Sequence, residues 1–220
     1  TPPMKNWKGE SARDQLGAFV GKRIAAIQNA YLSASGRAKG ARELATLRHA
    51  VTKTPGDVAD TWPLELEGMP AVLVGRRDAP SPGEWAVHAA LTLYAIHQQS
   101  QTTPMHQRGW EYGLGQAIRQ LVRRNPDAYT SLEEGELPRR FAALVTAESF
   151  PETVHYARQL VSQLRGEAIP LDYALLAQQF YDLQMPGRTD ATKLAWGRGF
   201  AQYRKVDAGS QAQGSSHIDD

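Results

Sequence analysis

The side chains best able to do chemistry in this chain are six histidines, at 49, 88, 97, 106, 155 and 217, and a set of scattered carboxylates. A zinc or di-iron site needs such groups at ligand spacing, either H-E-x-x-H on one helix or paired E-x-x-H motifs facing across a bundle. Glu152-Thr153-Val154-His155 is the one E-x-x-H match, and no second motif completes it. His88 and His97 share a helix and are expected as polar core or surface residues. No G-x-S-x-G elbow presents a serine nucleophile, and Gly113-Leu114-Gly115 lacks the lysine and the strand of a phosphate loop, so close helix packing explains it better. Glu133, Glu134 and Glu136 form a carboxylate cluster that helix capping accounts for. Cysteine is absent, which excludes disulfides, thiolate metal sites and cysteine nucleophiles. The reading is of a protein without catalytic, metal or cofactor sites.

Arginine is the more informative residue. Arg139 and Arg140 follow Pro138 at the head of a short helix whose Phe141, Leu144 and Val145 recur at the spacing of a buried face. Cations are mildly disfavoured at the positive end of a helix dipole, so the pair points to an outside anion or partner. The alternative is a solvated or salt-bridged pair, with Glu134 and Glu136 close in sequence. The net charge of +2 conceals strong segregation. Residues 1 to 54 carry 10 basic and 3 acidic side chains, residues 55 to 84 carry 2 and 6, and residues 85 to 124 carry 4 and 1. Basic charge concentrated on N-terminal helices is the footprint of a polyanion binder, although solubility alone can also produce it.

These residues are positioned by helices. Ser11 and Asp14 give a capping signal before Leu16, Phe19, Val20, Ile24, Ile27 and Tyr31, and a second helix begins near Gly36 with Leu44, Leu47 and Val51 on one side. Arg37, Lys39, Arg42 and Arg48 occupy the rest of its surface. Pro55, Pro63, Pro70 and Pro80 break the pattern between 54 and 81, and the insert at 54–83 reads as structured, with one helical turn. Ser81, Pro82 and Glu84 open a helix to about Gln99 with Trp85, Ala89, Leu93 and Ile96 on its buried side. Another is expected from Trp110 to Arg124, then two short ones split near Ser149, one capped by Asp172, and one opened by Thr189 or Asp190. Trp85, Trp196, Phe200 and Tyr203 fall on apolar helix faces and are expected in the core. The fold class is all-α, about seven to eight helices packed antiparallel as bundles. The expected organisation is an N-terminal bundle at 1–130 with the insert at 54–83, a C-terminal bundle at 131–205 and a disordered tail at 206–220. No apolar run approaches the roughly 20 residues of a membrane helix, and a soluble, cytoplasmic protein is expected.

The order of local patterns resembles the CasB family, the small subunit of the type I-E CRISPR surveillance complex Cascade. The resemblance runs over about residues 11 to 204: ARELATLRHA at 41 to 50, the helix of Trp85 to Gln99, Trp110 with GLGQAI at 113 to 118, LPRRFAALVTAES at 137 to 149, the YARQLV helix and KLAWGRGFA at 193 to 201. The chain departs from the family in the insert at 54–83, in His49 where relatives often carry another basic residue, and in the tail beyond 205. The resemblance implies a non-catalytic helical protein that packs head-to-tail as two copies among other Cascade subunits. It also implies a basic path for the guide RNA, the target DNA and the displaced strand, so that both single- and double-stranded DNA are expected partners. Carried onto matching positions, the implied contacts are Arg42, Arg48, Arg119, Arg123, Arg139, Arg140, Lys193 and Arg198. The competing expectation is an all-α protein–protein adaptor whose basic faces meet acidic partners.

Overall fold

The computed structural model describes residues 11–129 and 138–212, with side chains except at 128, 129 and 202–212. The chain is all-α. Its helices are α1 (Ala12–Leu32), α2 (Arg37–His49), α3 (Trp62–Glu65), α4 (Pro82–Gln98), α5 (Leu114–Arg124), α6 (Pro126–Tyr129), α7 (Arg139–Thr146), α8 (Phe150–Gly166), α9 (Tyr173–Asp182) and α10 (Thr189–Ala212). Among the described residues no strand forms, and a single parallel bridge joins His106 to Leu171.

Helix starts follow from side chains that satisfy orphan N–H groups. Ser11, Ser81, Ser149 and Asp172 each accept a bond from the backbone N–H three residues on, and Glu84 returns the bond to Ser81 to close a capping box. One expected helix is shorter than its pattern suggested. Residues 110–112 form a separate 3-10 turn, and the α-helix starts only at Leu114 because Gly113 is extended. At the other end α10 continues to Ala212, past the start of the tail expected at 206. Adding a turn to an existing helix is far cheaper than nucleating one. The rest of that tail, 213–220, lies outside the described residues, as do Glu133, Glu134, Glu136 and the boundary expected at 131.

The centre of the fold is α4, which packs against α1, α2, α8 and α9. Every residue from Ala86 to Ala95 is buried, not merely one side. The reason lies in its composition: AVHAALTLYA carries no long charged side chain on any face, and a helix apolar all round belongs inside. Buried side chains from α1, α4, α8, α9 and α10 belong to one apolar cluster, so the core runs continuously across position 130.

Burying α4 also buries polar groups, and the connection from 99 to 109 satisfies them. Gln98 Oε1 accepts from Met105 N–H at 2.9 Å. Gln28 of α1 grips the backbone of His106 at both ends, accepting from its N–H at 2.9 Å and donating to its carbonyl at 3.1 Å. His106 Nδ1 accepts from Tyr173 N–H at 3.0 Å. The loop is thereby built into the core and sets where α9 begins.

Close approach of α5 and α10 depends on Gly115. A Cβ there would stand 2.1 Å from the Trp196 carbonyl oxygen and 2.8 Å from Phe200 N, both backbone atoms that cannot rotate away. Gly115→Ala is expected to lower stability in urea by at least the roughly 1–3 kcal/mol typical of overpacking. Gly166→Ala, where a Cβ meets nothing within 4 Å, serves as the control and is expected to be neutral or stabilising.

Candidate nucleic-acid interface

Helix α8 turns an apolar face inward through Ala157, Leu160, Val161 and Leu164. Its outer face therefore carries His155, Arg158, Ser162 and Arg165. Arg158 and Arg165 are seven residues apart, two helical turns or about 10 Å along the axis. Arg140 of α7 lies alongside: its Nε donates to Gln159 Oε1 at 2.8 Å, and Gln159 Nε2 contacts His155 Nε2 at 2.8 Å. At the other end the charge of Arg165 is felt by Arg48 of α2. Burial lowers the Arg48 pKa, the Tyr31 phenol opposes that shift, and the like charge of Arg165 adds to it. The Tyr31 ring also carries the Arg37 guanidinium 5.0 Å from its centroid. Arg48, Arg140, Arg158 and Arg165 form no salt bridge with a carboxylate among the described residues.

The remaining expected contacts fall elsewhere. Arg42 is exposed on α2, six residues from Arg48, so the two point about 120° apart around the helix. Arg119 is half-buried at the α5–α10 seam, its guanidinium 5.6 Å from the Phe200 ring centroid, and Phe200 in turn lies 5.8 Å from Phe141 of α7. Lys193 Nζ donates to the Ala147 carbonyl at 3.1 Å and so ties α10 to the end of α7. Arg123, Arg139 and Arg198 are exposed on α5, α7 and α10. Of the eight positions, Arg48 and Arg140 belong to the face around α8, Arg119, Arg123, Lys193 and Arg198 to the α5–α10 side, and Arg42 and Arg139 are exposed elsewhere on α2 and α7.

The described histidines serve the interior or the surface. His97 is fully buried with Nδ1 2.9 Å from Tyr173 Oη, and His88 Nδ1 lies 2.9 Å from Glu65 Oε1. Glu152 of the E-x-x-H match accepts from Glu148 N–H at 3.0 Å, which is capping work. Among the described residues no three His, Asp or Glu side chains converge on one point. No described helix is long and apolar enough to cross a membrane.

The family model for the CRISPR-associated protein Cse2 matches residues 43–200. The chain belongs to the Cse2 family. A crystal structure of CasB from Thermobifida fusca is similar at 36% identity, over 84% of this chain and 97% of that one, with a TM-score of 0.67. A Cse2-family CRISPR-associated protein from Thermus thermophilus shares the fold at 19% identity, over 84% and 97% of the two chains, with a TM-score of 0.58. No curated protein matches the chain. The resemblance read from residue order is thus to the family the chain belongs to, a CasB/Cse2 subunit of type I-E Cascade.

Two basic residues of this Cse2-family chain escaped the sequence reading, Arg158 and Arg165. Their seven-residue spacing was available as a signal. Their placement near Arg140 and within electrostatic reach of Arg48 was not, because it depends on how α8 packs with α7 and on the α4 that α2 and α8 share.

Burial drives the His97 pKa down to about 3, partly offset by the Ile169 backbone and reinforced by the charge of Arg165. Burial lowers His106 as well. Below about pH 6.5 the unfolded chain takes up protons that the folded chain refuses, so the stability present above that pH is lost as pH falls toward 3. One such group contributes a slope approaching about 1.4 kcal/mol per pH unit. Urea midpoints are expected to fall between pH 7 and pH 5, and His97→Gln is expected to flatten that fall.

Proposed function

We propose that the chain is a non-catalytic nucleic-acid-binding subunit of a type I-E Cascade complex. In this reading it holds the guide RNA–target DNA hybrid and the displaced strand through phosphates, without reading sequence, and so favours the open R-loop in antiviral defence. The observation that carries the reading is the α7–α8–α2 face, where Arg140, Arg158, Arg165 and Arg48 follow one another with no described carboxylate paired to them. Cations so arranged interact with any phosphate backbone, whatever its bases. Arg42, Arg119, Arg123, Arg139, Lys193 and Arg198 supply further positive charge on the other helices, and two copies in head-to-tail contact would lengthen the path.

The physical effect required is modest. Exchanging a DNA duplex for an RNA–DNA hybrid is near balance, with about 1.4 kcal/mol per base step lost and roughly as much regained, so a few phosphate contacts to the released strand can tip it. Protein contacts have their own support, since Trp62, Val72 and Val74 of the insert are 50%, 57% and 46% exposed. That apolar group suits another Cascade subunit, and the competing adaptor reading would make such contacts the whole function.

Binding of the purified chain to labelled single-stranded DNA, duplex DNA and RNA across a salt series separates the two. The expected result is a linear fall of log affinity with log salt and similar slopes for unrelated sequences. Arg158→Gln with Arg165→Gln is expected to reduce the single-strand slope by about 1.4, at roughly 0.7 per phosphate contact. Absence of binding at low salt, with an acidic protein bound instead, would leave the adaptor reading in place.

A further inference from the structure

Between α4, α8 and the segment after α2 lies a cleft of about 250 Å³. Its walls are apolar and aromatic. Trp85, expected in the core, is only half-buried and stands edge-on to Phe150, with ring centroids 6.3 Å apart at 75°. Ala89 and Val154 complete that surface. Lys53, His155 and Arg158 stand at the rim, and no carboxylate belongs to the lining.

His88 gives the cleft its second feature. Its side chain is 4% exposed, and Nδ1 is 2.9 Å from the equally buried Glu65. Its Nε2 has no hydrogen-bond partner among the described residues. A buried ring nitrogen without a partner is costly, and buried polar groups are paired in the great majority of proteins. That nitrogen is itself shielded from solvent, as is Glu65 Oε2, so His88 and Glu65 form a buried polar pair behind the cleft. The cleft therefore joins an aromatic wall to a cationic mouth, with a buried polar pair behind it.

We propose that this cleft seats one unstacked nucleotide of a single strand. The base lies against Trp85 and Phe150, and the adjoining phosphate meets Arg158 and Lys53. Aromatic seats beside a basic groove are the usual device for holding single strands, because every base has a π-face. The volume lies just below the roughly 300–1,000 Å³ of drug-sized pockets, the scale of one nucleotide rather than a longer ligand. Continuity favours a nucleotide over an acidic peptide: His155 at the rim touches Gln159, which accepts from Arg140, so the mouth opens onto the arginine face. The proposal rests on that face being a phosphate path. It adds a base contact that phosphates alone do not provide.

The test compares oligo-dT with an abasic oligomer of equal length and charge, bound to the full chain and to Val154→Phe, which fills the cleft, and Trp85→Leu, which removes its wall. Urea denaturation verifies that each variant is folded, and two variants guard against one failing. The expected result is at least about fivefold tighter binding of oligo-dT than of the abasic strand, at similar salt slopes. In either folded variant oligo-dT is expected to fall to the abasic level while abasic binding stays unchanged. Equal affinity of the unaltered chain for both strands would overturn the base seat and leave the phosphate path standing. A preference for bases that persists in both variants would place the base contact elsewhere and also overturn it. Binding of neither strand at low salt would remove the path and the seat together. Competition by a short acidic peptide against oligo-dT but not against the abasic strand would assign the cleft to protein instead.

Discussion

Burial of α4 on every side is the constraint from which the rest of the structure follows. A helix with no solvent face must have neighbours all round, and α1, α2, α8 and α9 are those neighbours. It must also find partners for the polar atoms that go inside with it, and in a low-dielectric interior each partner needs a definite geometry. Gln98 takes the backbone at Met105, His97 takes the Tyr173 hydroxyl, and His88 takes Glu65 from the insert. Three regions far apart in sequence are thus fixed relative to one helix by hydrogen bonds, while apolar burial supplies the bulk of the driving force.

That arrangement decides what α8 can present. Because α4 takes its inner stripe, the basic residues of α8 are left on the outside in a row, and they are rigidly spaced by helix geometry. Arg48 stands within electrostatic reach of this row for the same reason, since α2 also packs on α4. The surface charge is therefore ordered by the core. A change that tilts α8 on α4 would move Arg158 and Arg165 together and shift the row against Arg140 and Arg48.

Much of this was legible in the sequence. Ser11, Ser81, Ser149 and Asp172 cap the helices they were read to cap because a cap is a local pattern within four residues. Gly115 was assigned to close packing because its surroundings lacked what a phosphate loop requires, and the Trp196 backbone is what it approaches. Trp85 was misplaced for a different reason. Helical periodicity tells which side of a helix is apolar, but not whether the next helix covers the end of that side. The approach of Arg165 to Arg48 was likewise invisible, since it depends on tertiary neighbours 117 positions apart. The unpartnered Nε2 of His88 is a property of three-dimensional packing, and spacing between histidines could not reveal it.

Several cations of this chain do structural work without losing their charge. Lys193 donates to the Ala147 carbonyl, Arg124 to the Glu167 carbonyl, and Arg23 to the Pro63 and Glu67 carbonyls. A carbonyl is a dipole and not an anion, so such a bond holds the side chain in place and leaves its positive field intact. Arg13 and Arg188 differ, because both bind the Asp182 carboxylate, at 2.6 and 3.1 Å, and their field is largely cancelled locally. Holding cations on carbonyls resolves a conflict that any basic scaffold faces. Long side chains lose conformational freedom when a ligand fixes them, so prior anchoring reduces that cost at the moment of binding. Anchoring by a carboxylate would reduce the same cost but remove the attraction. Along α8, Arg158 and Arg165 form no ion pair with a described carboxylate, and Arg165 Nη1 donates instead to the Gln99 side-chain oxygen at 3.2 Å.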